Sequence, residues 1–341
     1  MSGAATLDRA TGETIRLTVA DAEQLAHAAL EGIGFTAAES RVIAAHLIDA
    51  ALCGYHFAGL PRILTIAEDP RTREPRRAPA IVHETEVSAM IDGGNHVGYY
   101  AVHQAAQIAI EKAGKRGFAI VGLHNSHLSG RNSYYLELIT RAGYAGVHLA
   151  SAPPLVVPPG GRKPALGTNP IALGVPGNPD PLIFDMGTAA LMRGDVILKK
   201  RTGLPLPEGA GIDASGAATR DPEAVLNGGG ILPFGAHKGY ALSVAIQAMC
   251  LMAGAALPRG EVQDYGFLFV VFDPGLLMPR DDYARQVEAL KAAIKGVPRQ
   301  PGCDEIRLPS ERAFKERARR RREGIVIDRK VHVAIAALAS A

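Results

Sequence analysis

Apolar positions in the first third of the chain recur with a helical period. Thr36-Ala-Ala-Glu39 is a capping box, in which the hydroxyl and the carboxylate each satisfy an orphan amide. Behind it Val42, Ile43, Leu47, Ala50 and Ala51 share one face, and Gly54 supplies a stop. Thr18 with Asp21 marks an earlier helix start, and residues 103–115 read as an amphipathic helix. Between them, 70–79 is a polar, proline-rich loop, 86–90 a short strand, and Asp92-Gly-Gly-Asn95 a turn. From residue 118 the texture changes. Residues 118–122 and 146–150 read as buried strands, with a polar loop and a helix over 134–142 between them. Residues 153–179 are dense in Gly and Pro, and 182–184 form a strand that ends at Asp185. Residues 203–233 are loop-rich, and a long apolar helix begins near Gly239. Phe267–Phe272 is a buried strand, 284–293 a helix, and Ser310 the expected cap of a charged helix over 311–323.

Composition narrows the class. Of 341 residues, 47% are hydrophobic and 21% charged, which excludes a disordered chain. The length suits two domains or one large α/β unit. A net charge of +3 argues against a nucleic-acid binder, because phosphate-tracking surfaces carry a strong basic excess. Residues 317–322 hold five arginines, but Glu311, Glu316 and Glu323 share the helix, so a solvated face is the expectation. Three widely spaced cysteines, Cys53, Cys250 and Cys303, give no disulfide framework. Neither an h-region in residues 1–17 nor an apolar run of membrane-spanning length is found, so the expectation is a cytoplasmic protein with no membrane partner.

The familiar nucleotide and metal signatures are missing: no GxGxxG after a strand, no GxxxxGK[ST], no HExxH, no GxSxG and no paired CxxC. Three other glycine-rich segments stand out. The first runs from Pro158 to Pro170, where Thr168 and Asn169 place polar side chains at a rigid turn and are candidates for substrate binding. Phe184-Asp-Met-Gly-Thr188 offers a carboxylate and a hydroxyl at a strand exit, where α/β sheets collect ligands. Phe234-Gly-Ala-His-Lys-Gly-Tyr240 opens the apolar helix, and a lysine at a helix start suits a phosphate. A fourth segment, Leu123 to Arg131, concentrates His124, Ser126 and His127, and histidine is the usual proton carrier near neutral pH. No third ligand near the two histidines supports a metal site. Arg62, after Tyr55-His-Phe57, suits a two-bond clamp on a carboxylate, or equally a solvated arginine.

Together these segments resemble the type-2 malate/L-lactate dehydrogenase family. The resemblance is carried by Val157-Pro-Pro-Gly-Gly161 with Gly167-Thr-Asn-Pro170, by Asp185-Met-Gly-Thr188, by Asp213 with Thr219-Arg-Asp-Pro222, and by Leu232-Pro-Phe-Gly-Ala-His-Lys-Gly-Tyr240. It covers about residues 15 to 335. It implies an α/β, non-Rossmann fold: a helical substrate and dimerisation domain (15–117 plus 275–341) with an inserted NAD(P)-binding domain (118–274). It implies a homodimer and NAD- or NADP-dependent interconversion of a small 2-hydroxy acid and its 2-oxo acid. A cyclic imine carboxylate reductase, or a dinucleotide-binding homologue without turnover, are the alternatives. The cofactor contacts implied are Asp185, Met186, Gly187, Thr188, Lys238, Gly239, Pro309, Ser310 and Glu311, and the substrate arginine is Arg62. Two departures concern proton transfer. Phe57-Ala-Gly59 stands where the family has Ser-His-Gly, and Leu128 stands where it has a loop histidine. His127 and His56, each close in sequence to one of these positions, are the replacement candidates.

Overall fold

The computed structural model describes residues 13–254 and 265–339; the first twelve residues, on which part of the no-leader expectation rests, lie outside them. In chain order the elements are β1 (Thr14–Leu17), α1 (Val19–Gly32), α2 (Ala37–Leu52), α3 (Arg62–Glu68), β2 (Ala80–Glu84), β3 (Ser88–Val97), α4 (Gly98–Arg116), β4 (Phe118–His127), α5 (Asn132–Arg141) and β5 (Ala145–Ala150). Then follow β6 (Ile171–Val175), β7 (Leu182–Met186), α6 (Arg193–Thr202), β8 (Gly211–Ile212), β9 (Ala218–Thr219), α7 (Pro222–Leu226), β10 (Gly230–Ile231) and α8 (His237–Leu251). The chain ends with β11 (Phe267–Phe272), α9 (Arg280–Lys295), α10 (Glu311–Glu323), β12 (Ile325–Asp328) and α11 (Arg329–Leu338). The described residues form two compact units, 13–74 with 310–339, and 75–254 with 265–309.

The first unit is helical. Thr18 and Thr36 close the capping boxes that start α1 and α2. Ala22, Ala26, Ala29 and Leu30 of α1 and Ile43, Ala44 and Leu47 of α2 are buried, so small and large side chains interdigitate along the seam. Its two-stranded sheet joins β1 to β12, antiparallel. The arginine-rich helix corrects the expectation of a solvated face. Arg317 and Arg320 are buried: Arg317 Nε lies 3.0 Å from Asp49 Oδ1, and Arg320 Nη1 donates to Ala51 O at 3.2 Å. Arg312 Nη1 donates to Cys53 O at 3.4 Å. Arginines of α10 therefore satisfy carbonyls at the C-terminal end of α2, where the helix dipole favours positive charge. The predicted role of Ser310 also differs: it sits at φ 63° and its hydroxyl makes no capping bond.

The second unit is built on a seven-stranded sheet in the order β2-β3-β4-β11-β5-β6-β7. Neighbouring strands are antiparallel except β3 and β4. Alternation along β11 divides the faces. Phe267, Phe269 and Val271 pack with α4 and α5, whereas Leu268 packs with Ile246 and Cys250 of α8. Burial among apolar side chains pushes the Cys250 thiol up to about 12. The positions 117/118 and 274/275 both lie inside this unit, and across the first of them β3 pairs along β4 while α4 packs on the sheet core. The turn expected over 92–95 is a bulge within β3: Gly94 and Asn95 take positive φ, and pairing resumes at His96–Ser126. The polar loop expected after residue 122 is instead the continuation of β4 through His127, and β6 lies within the stretch expected to be irregular.

Candidate active site

The glycine-rich segments, far apart in sequence, are tied together by main-chain bonds. Thr168 O accepts Thr188 N–H at 2.8 Å and the Thr188 hydroxyl at 3.0 Å. Thr188 O accepts Phe234 N–H at 3.0 Å, and Phe234 O accepts Gly239 N–H at 3.0 Å. Ala190 N–H adds a bond to Leu232 O at 2.8 Å. Leu155, Val156, Ala189, Val196, Leu206, Val225 and Ile231 form an apolar floor, with the three-stranded sheet β10-β8-β9 at its edge.

One glycine is dictated by this approach, and a second is crowded by a side chain. A Cβ on Gly239 would lie 2.3 Å from Phe234 O and 2.8 Å from Thr188 O. One on Gly187 would lie 2.5 Å from Met192 Sδ. Asn169, at φ 30° and wholly buried, locks the arrangement to α8. Its Oδ1 accepts Ala152 N–H at 3.2 Å, and its Nδ2 donates to Ser243 Oγ at 3.2 Å and Gln247 Oε1 at 3.1 Å. Both hydroxyl-bearing residues of the cluster, Thr168 and Thr188, are buried.

Asp185 stands at the exit of β7, where its Oδ2 accepts Ser133 N–H, at the start of α5, at 2.8 Å. A carboxylate at a helix N-terminus is stabilised by the unpaired amides there. The bulk of protein around Asp185 raises its pKa, while the Ser133 amide and the Arg131 charge oppose that rise. Solvent on the open side of the residue limits the rise. Met186 and Lys238 are exposed, and Lys238 is the second residue of α8. The start of α8 is conformationally strained: Gly235 and then Ala236 both take positive φ, and Ala236 sits at φ 52°, ψ −113°.

The histidines are placed differently. His127 ends β4 and is 1% exposed. Leu128 follows at φ 54°, an unusual conformation for a bulky side chain. In the first unit, His56 is exposed, and its Nε2 faces Arg320 Nη2 at 3.4 Å. Arg62 opens α3, with its guanidinium carbon 4.7 Å from the centre of the Phe57 ring. Its Nε is buried and has no hydrogen-bond partner among the described residues. Pro309 is exposed, and Glu311 pairs with Lys315 at 3.2 Å. A depression of about 390 Å³ beside β2 and α4 is lined by the ion-paired Lys112, Lys115 and Arg116 and shares no lining residue with the glycine-rich cluster.

Sequence reasoning missed the partnership of Asp185 with α5, and it missed Asn132, the first residue of α5. Asn132 is 1% exposed, and neither Nδ2 nor Oδ1 has a hydrogen-bond partner among the described residues.

Residues 17–336 match the profile of the malate/L-lactate dehydrogenase family. The L-sulfolactate dehydrogenase of Methanothermobacter thermautotrophicus is 34% identical over 304 residues, covering 86% of this chain and 87% of that protein. A Δ(1)-pyrroline-2-carboxylate/Δ(1)-piperideine-2-carboxylate reductase of Pseudomonas putida is 31% identical over 332 residues, covering 93% and 95%. The structure of the sulfolactate dehydrogenase from Methanocaldococcus jannaschii superposes with a TM-score of 0.84 at 29% identity, over 96% of this chain and 97% of that one. The α/β fold matches along nearly the whole chain, and this protein belongs to the malate/L-lactate dehydrogenase family.

Proposed function

We propose that the protein is an NAD- or NADP-dependent oxidoreductase that interconverts a small 2-hydroxy acid and its 2-oxo acid. The observation that carries this reading is the main-chain stitching of three glycine-rich segments beside Asp185 and the start of α5. When bound, the nicotinamide supplies or accepts the hydride, and the protein contributes orientation and electrostatics. The residues present fit such a group: Asp185, Met186 and Lys238 are open to a ligand, and a buried amide at Asn132 lacks partners among the described residues. Lys238 would hold a phosphate, helped by the amides at the start of α8. Gly187 and Gly239 keep the backbone close, while Thr168, Asn169 and Thr188 fix the loops from inside. Pro309, Ser310 and Glu311 complete the proposed cofactor contacts. The nucleotide part, residues 118–274, is proposed to work without a doubly wound parallel sheet; the missing GxGxxG and the mostly antiparallel strands support this. Arg62 would take the substrate carboxylate through two parallel bonds, and its unpaired Nε suits that task. The protein would act as a homodimer.

A second reading, reduction of a cyclic imine carboxylate, is favoured by the histidines. His127 is buried, Leu128 stands in the family's histidine position, and His56 Nε2 faces Arg320. An imine that arrives protonated needs no proton from the protein before hydride transfer, so it asks least of these residues. In the 2-oxo acid reading, His127 delivers the proton and must first be uncovered.

The test is a binding titration with NADH and NADPH, followed by turnover assays on 2-oxo acids and cyclic imine carboxylates. Binding with 2-oxo acid turnover supports the first reading, and turnover of imines alone moves the assignment to the second. Binding without any turnover identifies a homologue that has lost activity, and no binding at millimolar dinucleotide overturns all three. Loss of 2-oxo acid turnover in H127A, with dinucleotide binding kept, supports the proton assignment; unchanged turnover rejects it.

A further inference from the structure

Asn132 is the one asparagine of the second unit whose side-chain amide is buried with both ends unpartnered among the described residues. Such groups are rare in native folds, because burial removes water from a donor and an acceptor without replacing it. The amide does not sit on a floppy segment. It belongs to the first turn of α5, where Ser133 N–H is held by Asp185 Oδ2 at 2.8 Å and Arg131 Nε donates to Ser133 Oγ at 3.2 Å. One turn on, the Tyr135 hydroxyl donates to Ser129 O at 2.6 Å and so pins the approach to the helix. Like His127, the amide is 1% exposed and must be uncovered before a ligand reaches it; positioned beside the Asp185 segment, it is then a recognition group for a partner.

The chemistry of that partner follows from the two ends. A phosphate or carboxylate offers acceptors alone and would leave Oδ1 unmatched. A primary carboxamide offers a carbonyl and an N–H side by side, and two amides pair through two bonds. On the reading proposed above, on which this step rests, the dinucleotide carries such a group at the reacting ring. The adenine amino edge offers the same donor–acceptor pattern at the other end of the molecule. Exclusion of water from Asn132 favours the nicotinamide end, where the reacting carbon must be kept dry. We infer that the Asn132 side chain binds the nicotinamide carboxamide and sets the rotation of the ring.

Calorimetric titration of wild type and N132L tests this with three probes: NADH (or NADPH, whichever binds), its 3-acetylpyridine analogue, and its hypoxanthine analogue. The acetylpyridine compound lacks the carboxamide N–H, and the hypoxanthine compound lacks the adenine amino group. Wild type should bind the acetylpyridine analogue about fivefold to tenfold more weakly than the parent, as for one lost hydrogen bond. In N132L that preference should shrink to within about twofold, and the hypoxanthine analogue should respond equally in both proteins. A preference that persists in N132L, or one that moves to the hypoxanthine probe, overturns the inference. Without ligand, N132L should melt no lower than wild type, because leucine removes an unmatched amide; a lower melting temperature shows that the amide is satisfied internally and also overturns it. Failure of wild type to bind either parent dinucleotide overturns the dinucleotide reading itself, and is told apart from normal binding without discrimination.

Discussion

The two units hold themselves together by different means. In the helical unit, the seam between α2 and α10 is ionic: Arg317 faces Asp49, and Arg320, held by Glu316 of its own helix, donates to Ala51 O. In the sheet unit, the seam among the glycine-rich segments is made of neutral main-chain bonds, and its tightness depends on absent side chains. Charged seams tolerate changes in shape but respond to changes in charge. Main-chain seams do the reverse, because carbonyls and amides do not titrate and cannot move aside. A surface that must present backbone to a ligand suits the second kind.

The sharpest break in that comparison is a methyl group. Gly239→Ala places a Cβ 2.3 Å from Phe234 O and 2.8 Å from Thr188 O, and these two nearest atoms are backbone oxygens that cannot turn aside as a side chain would. The expected cost is about 3–5 kcal/mol in chemical denaturation, with loss of dinucleotide binding. A variant that keeps wild-type stability would show that the seam is softer than its geometry implies.

Next in size is a change of charge in the ionic seam. Arg317→Leu takes the guanidinium away from the Asp49 carboxylate, which is 14% exposed, and should cost about 3–5 kcal/mol. The double variant Arg317→Leu with Asp49→Leu should regain most of that loss, since both charges are then gone. If the double variant is as unstable as the single one, shape rather than charge holds α10.

These seams also mark what could be read from the chain. The helix start at Thr18 and the capping box at Thr36 were legible because a cap is local, set by residues three apart. So were the glycine-rich segments, since Gly beside Pro, Thr and Asn has few other uses. Their meeting was not legible, because the bonds from Thr168 to Thr188 and from Thr188 to Phe234 span sequence distances that no local pattern encodes. The arginines of α10 misled for the same reason: a basic run looks solvated until a partner such as Asp49, more than 260 positions away, is in place. His127 misled through periodicity, because a polar stretch that continues a buried strand resembles a loop.

Acid should separate the units. His148 is wholly buried, stacks 4.0 Å from Phe269, and uses Nδ1 on Leu268 O at 3.2 Å. Burial holds its pKa down at about 3, against 6.5 when unfolded. The folded state therefore refuses a proton that the unfolded state takes up below pH 6.5, so stability falls as pH drops from 6.5 toward 3. The slope is about 1.4 kcal/mol per pH unit, or about 2 kcal/mol by pH 5. His148→Phe keeps an aromatic ring at the stack and should flatten this slope in the pH dependence of unfolding, read by hydrogen exchange in β5 and β11. An unchanged slope would show that other groups set the acid response of the sheet unit.

The smallest effect belongs to the ionic seam at lower pH. Hydrogen bonds from Arg319 and Arg320 outweigh partial burial and hold Glu316 at about 2, below its ordinary 4.5. Stability from this carboxylate is fully present above pH 4.5 and is lost as pH falls through about 2, the opposite end of the acid range from His148. Because Arg319 is 44% exposed, solvent screening reduces the worth of the pair to about 1 kcal/mol. Glu316→Gln should therefore lower the stability of the helical unit by about that amount at pH 7 and leave it unchanged near pH 2, with hydrogen exchange in α2 and α10 as the measure. Equal losses at both values would mean that Glu316 acts through packing rather than charge, and that the seam of the helical unit is closer in kind to the neutral seam of the sheet unit.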